Sequence, residues 1–94
     1  MKIKWSEKAK EELANTYYYI EDNWSSKEIK RLSVKIEATV NFIKEYPFSY
    51  PIIRKGSVRK AVILKYNSMY YRVKNDEIEI LSFFSNRQKP KDEI

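Results

Sequence analysis

The stretch VRKAVILKYNSMYYRVKNDEIEILSFF, residues 58–84, decides the fold class of this chain. It contains three runs rich in β-branched and aromatic residues, the side chains that favour strands: residues 58–66, 69–74 and 77–84. The junctions Asn67–Ser68 and Asn75–Asp76 are short and polar, as in the turns of β-hairpins. The stretch therefore predicts an antiparallel meander of three strands.

Two helices are predicted upstream of the meander, at about residues 6–24 and 26–46, because apolar residues recur there at spacings of three and four. Ser6 can cap the first helix by accepting a hydrogen bond from a free amide. Pro47 disfavours the helical conformation at the residue before it and ends the second helix. Because only a short break separates them, the helices are predicted to form an antiparallel hairpin.

Residues 2–5, KIKW, alternate between polar and apolar side chains and predict a short first strand. The predicted order is therefore β-α-α-β-β-β. This order indicates the α+β class, with an N-terminal strand and an antiparallel helical hairpin packed on one face of an antiparallel sheet. Because 94 residues leave no room for a second core, residues 1–94 are predicted to form a single domain.

The composition excludes several kinds of site. The chain has no Cys and no His, which removes thiolate catalysis, cysteine-ligated zinc and the commonest general base. A single Gly excludes a glycine-rich phosphate loop. We therefore expect no cofactor and no metal. No long apolar stretch follows the charged start, so neither a signal peptide nor a membrane anchor is expected, and a cytoplasmic location is predicted.

The positive charge is concentrated in one segment. The chain carries a net charge of +6, and residues 46–75 contain seven Lys or Arg and no Asp or Glu. Strict alternation would direct the following residues toward the helices: Val62, Leu64, Tyr66, Met69, Tyr71, Val73, Ile78, Ile80 and Phe84. The opposite face would then collect Arg59, Ile63, Lys65, Tyr70, Arg72, Lys74, Leu81 and Phe83.

A face that mixes cations with aromatic and aliphatic side chains is typical of a contact surface for an acidic macromolecule. Its cations could bind phosphates or an acidic peptide, and Tyr70 or Phe83 could stack on a base. The alternative is a solvated strand face whose cations discourage edge-to-edge aggregation. The absence of acidic residues over the whole segment favours the contact surface.

The end of the last strand carries the remaining candidate. Phe83 and Phe84 lead into SNRQKP, residues 85–90, in which Arg87 can bind a phosphate or carboxylate through two parallel hydrogen bonds. A helical hairpin, a basic meander and then a polar turn with an arginine and a proline resemble the RelE/ParE superfamily of bacterial toxins. These toxins belong to type II toxin–antitoxin operons, including plasmid stabilization systems. In this resemblance Arg87 corresponds to the terminal arginine of the family.

The resemblance implies one of two activities. RelE-like members are ribosome-dependent mRNA endoribonucleases, and the corresponding electrostatic residues would be Arg54, Arg59, Lys65 and Arg87. ParE-like members poison DNA gyrase by binding it, without an active site of their own. The nuclease branch commonly carries a His, Tyr or Glu near its C-terminus, whereas this chain has no His, its last Tyr is Tyr71, and the tail after Arg87, QKPKDEI, has no aromatic residue. The two predicted helices are long, which suits the ParE-like branch. The ParE-like branch, which is not enzymatic, is therefore favoured.

A non-toxic basic interaction module is a further alternative. In every version the resemblance implies an antitoxin that wraps an acidic, partly disordered segment over the toxin. The residues predicted to bind a partner or nucleic acid are Arg59, Lys65, Tyr70, Arg72, Lys74, Phe83 and Arg87. The expected target is DNA gyrase, or else the ribosome with its mRNA, and no membrane partner is expected.

Overall fold

Two helices pack on one face of a five-stranded sheet in the computed structural model, which describes residues 1–85. The elements are β1 (Lys2–Trp5), α1 (Glu7–Asn23), α2 (Ser26–Glu45), β2 (Ile52–Arg54), β3 (Val58–Leu64), β4 (Asn67–Lys74) and β5 (Glu77–Ser85). The predicted α+β class is confirmed. The short strand β2 was not predicted, because three residues are too few to show an alternating pattern.

The sheet has the strand order β1-β5-β4-β3-β2. Strands β2 to β5 are antiparallel to their neighbours, as the meander predicts, whereas β1 pairs parallel to β5 through Ile3 opposite Ile78 and Trp5 opposite Ile80. The two helices lie between β1 and the other strands in the sequence and form the crossover connection of the sheet. As a result, β1, the first strand, lies beside β5, the last strand.

Ser6 joins the first helix to the sheet. Its hydroxyl accepts a hydrogen bond from the Ala9 amide at 3.0 Å, which caps α1 as predicted, and donates one to the Leu81 carbonyl at 3.0 Å. At the far end of the hairpin, α2 ends at Glu45, two residues before Pro47. The helix bounds therefore follow the capping and proline signals of the sequence.

The two hairpin turns differ from each other in how well the sequence indicates them. Asn75 and Asp76 have φ values of 53° and 61°, the left-handed conformation that Asn and Asp tolerate best in a two-residue hairpin turn. The other junction was placed wrongly. The turn is formed by Lys65 and Tyr66, and Asn67 already pairs with Leu64 as the first residue of β4.

The pairing of the strands corrects the predicted faces in two places. In β5, Ile80 pairs with Tyr71 and Ser82 pairs with Tyr70, so that Leu81 is an extra residue opposite a two-residue step. Such a bulge shifts the alternation by one residue. Phe83 is consequently buried, with 2 % exposure, and Phe84 is exposed, the reverse of the prediction.

The second correction concerns β3. Ala61 pairs with Met69, and Arg59 pairs with Tyr71, so Arg59, Ala61 and Ile63 share the face of the buried residues of β4. Val62, predicted to point toward the helices, is exposed instead. Because β3 contains several consecutive apolar residues, its composition alone allowed either face. The pairing of β3 with β4 determines which of these residues point toward the helices.

The core lies between the hairpin and the sheet. It contains these buried residues: Ala9, Ile20, Leu32, Ile36, Ile43, Ala61, Ile63, Met69, Tyr71, Ile78, Ile80 and Phe83. Within residues 1–85, neither helix is both long enough and apolar enough to cross a membrane. The face of the sheet opposite the helices, here called the open face, is not covered by any other described element.

Candidate interaction surfaces

The open face has two ends of different electrostatic character. At the β1 end, Arg72 lies opposite Glu79 and Lys74 opposite Glu77. In β1, Lys4 lies beside the same Glu79. The predicted face mixed cations with apolar residues and contained no acidic residue; this is wrong at the β1 end, because β5 brings carboxylates between the cations of β1 and β4.

Arg72 forms an ion pair with one of these carboxylates. Its Nε donates a hydrogen bond to Oε1 of Glu79 at 2.7 Å, and both side chains are about a third exposed. The Arg72 hydrogen bond holds the pKa of Glu79 below its ordinary value, and the nearby Lys74 and Lys4 act in the same direction. Arg72 is thus engaged within the chain and is a weaker candidate for partner binding than Lys74.

Glu79→Gln is expected to reduce the sensitivity of the fold to acid. A carboxyl with a lowered pKa stabilises the folded state above its unfolded pKa, near about 4.3, and this contribution is lost as the pH falls through the folded value. Thermal unfolding followed from neutral pH into that range should show a smaller acid-induced loss of stability for the variant, by up to about 1 kcal/mol.

The matched control is Glu77→Gln, which removes a carboxylate from the same strand where the described structure has no ion pair to lose. An equal reduction of acid sensitivity in both variants would show that net charge, rather than the Arg72 pair, is responsible.

The other end of the open face retains the predicted mixture of cations and apolar side chains. Lys60 pairs with Tyr70, and the guanidinium of Arg54 lies over the Tyr70 ring at 5.5 Å from its centre. Val62 and Phe84 both pair with Ser68 from the two sides of β4 and are 58 % and 51 % exposed. We call these five residues, Arg54, Lys60, Val62, Tyr70 and Phe84, the Tyr70 patch.

Arg59 lies on the opposite side of the sheet from the Tyr70 patch. Its guanidinium donates hydrogen bonds to the carbonyls of Tyr50 at 2.6 Å and Phe48 at 3.1 Å, and stacks on the Phe48 ring at 5.2 Å. These contacts hold the loop between α2 and β2. The prediction that Arg59 lies on the open face is therefore wrong, and its guanidinium is occupied by the chain's own backbone.

Tyr71 holds the same loop from beneath. Its hydroxyl donates a hydrogen bond to the Pro47 carbonyl at 2.8 Å, and its ring packs perpendicular to the Tyr50 ring, with 6.3 Å between the ring centres. Burial raises the pKa of Tyr71 above its ordinary value, although the Arg59 charge lowers it in part. A buried tyrosine with a raised pKa is a poor general base, so this residue supports structure rather than proton transfer.

The residues suggested for RNA cleavage do not converge. Arg59 stands at the start of β3 and Lys65 follows its end, so their backbones are separated by about 20 Å at roughly 3.3 Å per residue. Arg54 lies on the open face, away from Arg59. Phe83 is buried and cannot stack on a base. Arg87 lies outside the described residues.

A sequence comparison decides the family. The profile of the ParE toxin of type II toxin–antitoxin systems, parDE, matches residues 3–90. This chain belongs to the ParE toxin family. Membership confirms the predicted resemblance to the RelE/ParE superfamily, and a toxin of this family implies an antitoxin partner. None of the curated protein sequences compared matches the chain.

Solved structures agree with the ParE family assignment at the level of fold. The chromosomal ParDE toxin–antitoxin system from P. aeruginosa contains a chain of 22% identity, with a TM-score of 0.75 over 90% of this chain and 95% of that one. A copper-bound mutant toxin from Helicobacter pylori has 12% identity and a TM-score of 0.67, covering 95% and 98%. A conserved hypothetical protein from Helicobacter pylori, solved in solution, has 16% identity and a TM-score of 0.55, covering 93% and 96%.

A basic stripe on the second helix of this ParE-family chain was missed. Lys27, Lys30, Arg31 and Lys35 line one depression on α2. The net charge of residues 1–45 does not indicate them, because the acidic residues of that segment nearly balance its lysines and arginines. Their spacing of three and four residues, which places them on one side of a helix, is the signal that could have found them.

Proposed function

We propose that this protein is a toxin that acts in the cytoplasm by binding DNA gyrase and stabilising gyrase complexes with cleaved DNA. A cognate antitoxin neutralises it, and the operon would thereby stabilise the plasmid or chromosomal segment that carries it. The observation that carries the proposal is the match to the ParE toxin family over residues 3–90.

The arrangement of the candidate residues supports binding rather than chemistry. An RNA-cleaving site needs a base, an acid and cations within reach of one phosphate. In residues 1–85, Arg59 is bound to backbone carbonyls, Lys65 lies at the other end of β3, and Tyr71 has a raised pKa. No described group of these residues surrounds a common point where a phosphate could be attacked.

We further propose the Tyr70 patch as the surface that contacts the target. It combines exposed apolar side chains with two cations, and no carboxylate of the described chain forms an ion pair with either cation. Patches of this composition are typical of protein interfaces. Lys74 lies on the same face beyond Arg72 and extends the candidate surface toward β1.

The purified protein is expected to trap gyrase complexes on supercoiled DNA. When detergent and protease stop the reaction, the DNA in the trapped complexes is released in linear form. Phe84→Ser should reduce the linear product by at least about tenfold, because it removes a large apolar side chain from the centre of the contact. Tyr18→Ser removes an aromatic residue of α1 that is exposed to a somewhat greater extent and lies outside the patch, and it should leave the product unchanged.

Two results would refute the gyrase proposal. Cleavage of mRNA on programmed ribosomes, in the absence of trapped gyrase, would assign the protein to the RelE-like nucleases. Expression without any growth defect and without either product would indicate a non-toxic interaction module.

A further inference from the structure

The second helix carries a row of exposed apolar residues on a side that does not pack in the core. Val34, Ala38 and Phe42 follow each other at intervals of four residues, which places them next to one another along one side of α2. Val34 is 57 % exposed and Phe42 is 43 % exposed, whereas Ile36 and Ile43 of the same helix are buried. Neighbouring exposed apolar residues of this kind are typical of a surface that a partner covers.

A charged residue stands at each end of this row, and the two charges are opposite. Arg31 precedes Val34 by three residues, and Glu45 follows Phe42 by three residues. An α-helix turns by about 100° per residue, so all five residues lie within an arc of about 80°. We call Arg31, Val34, Ala38, Phe42 and Glu45 the Ala38 ridge. Its spacing is symmetric about Ala38.

The two charges of the Ala38 ridge cannot neutralise each other within one molecule. Arg31 and Glu45 both belong to α2 and their backbones are separated by about 21 Å, at 1.5 Å per residue. Within residues 1–85, neither of them forms an ion pair with another residue. Each molecule therefore presents an unpaired cation and an unpaired carboxylate at the two ends of one apolar row.

The symmetric spacing makes the Ala38 ridge complementary to itself. In a twofold interface, if residue i contacts residue j of the second copy, then j also contacts i. When two α2 helices lie antiparallel with Ala38 on the twofold axis, Val34 of each copy meets Phe42 of the other, and Arg31 meets Glu45. The small side chain of Ala38 allows the helices to approach closely at the centre. A parallel arrangement would instead place Arg31 against Arg31, which is repulsive.

We infer that two copies of this chain associate through the Ala38 ridge, with their α2 helices antiparallel. A contact between two helices is small for a specific interface, so we expect a dissociation constant of about 10–100 μM. The pairing does not depend on the gyrase proposal. The Tyr70 patch lies on the open face, on the other side of the sheet from the helices, and stays accessible in both copies.

Analytical ultracentrifugation measures the association over about 5–500 μM protein, a range that brackets the expected dissociation constant. Glu45→Lys is expected to weaken the dimer by at least about tenfold, because both symmetric ion pairs become repulsive. The control is Glu11→Lys, at an exposed position of α1. Each substitution raises the net charge from +6 to +8, because each adds two charges. The control should dimerise within about threefold of the unmodified protein.

A charge exchange tests whether Arg31 and Glu45 meet. Arg31→Glu alone is expected to weaken the dimer as Glu45→Lys does, because it places two carboxylates together. The double variant Arg31→Glu with Glu45→Lys keeps the net charge of +6 and restores opposite charges at both ends of the contact. It is expected to dimerise within about threefold of the unmodified protein, whereas a site for an acidic or a basic partner would not be restored.

Cross-linking tests the position of the twofold axis. The chain has no Cys, so a single introduced thiol reports on one site. Ala38→Cys is expected to form a disulfide-linked dimer under mild oxidation, because the two β carbons lie close together across the axis. Tyr18→Cys, at a position of α1 that is 66 % exposed and outside the ridge, should cross-link at least about tenfold more slowly.

Three results would overturn the inference: a monomer over the whole concentration range, no recovery of association in the Arg31 and Glu45 double variant, or equal cross-linking at positions 38 and 18. Binding of a labelled acidic peptide to α2 of a protein that stays monomeric would also overturn it, by assigning the ridge to another partner. The gyrase assay is independent of these measurements. A protein that dimerises as described but traps no gyrase would support the Ala38 ridge and refute the gyrase target.

Discussion

Phe83→Ala is expected to lower the free energy of unfolding by about 3–5 kcal/mol, whereas Phe84→Ala should lower it by less than about 1 kcal/mol. Phe83 is 2 % exposed and belongs to the core, and Phe84 is 51 % exposed on the open face. Truncation of Phe83 removes buried apolar surface and leaves a cavity, and truncation of Phe84 does neither. For a domain whose total stability is about 5–15 kcal/mol, the first loss is large.

Urea denaturation of the two variants, followed by circular dichroism, measures this contrast directly. The pair is well matched because the substitutions are identical and adjacent in the chain. A larger loss for Phe84→Ala than for Phe83→Ala would contradict the bulge at Leu81, since an uninterrupted β5 would bury Phe84 instead. Partial unfolding of Phe83→Ala before any denaturant is added would agree with the prediction.

Arg59→Met is expected to cost about 2–3 kcal/mol of stability, because a hydrogen bond from a charged donor contributes about 1.5–3 kcal/mol. Methionine preserves much of the apolar stem but loses the donors to the carbonyls of Tyr50 and Phe48 and the stacking on the Phe48 ring. The loop between α2 and β2 would then depend mainly on the Tyr71 hydrogen bond to Pro47.

Arg54→Met is the control for the Arg59 substitution. It removes a guanidinium of the same charge whose described contact is the Tyr70 ring, and it should cost less than about 1 kcal/mol. Chemical denaturation of both variants compares them on one scale. Similar losses would mean that Arg59 contributes through charge alone and does not hold the loop.

The helices and the turn between β4 and β5 are determined by local sequence, and the sequence indicates them well, whereas it misplaces the turn between β3 and β4. Ser6 caps α1 with its own hydroxyl, and Asn75 and Asp76 suit the left-handed conformation of their turn. The faces of the strands depend on longer-range pairing. Nothing in the composition of LSFF distinguishes Phe83 from Phe84, because the bulge that separates their environments exists only once β5 pairs with β4.

The same distinction applies to the candidate surfaces. The segment from residue 46 to 75 lacks acidic residues, but Glu79 of the neighbouring strand lies beside Arg72 in the sheet. Arg59 belongs to that segment and yet binds backbone carbonyls on the other side. Charge counted along the chain therefore predicts that basic surface exists, and the register of the strands decides where it lies.

The parallel pairing of β1 with β5 also bears on the order of events during synthesis. The hydrogen bond from Ser6 to Leu81 joins residues 75 positions apart, so the first strand emerges from the ribosome long before its neighbour is made. Contacts of such separation slow folding because a long stretch of chain must first be brought together. The polypeptide is consequently expected to complete its sheet only once β5 has emerged from the ribosome, which leaves an interval between the synthesis of β1 and the formation of the folded protein.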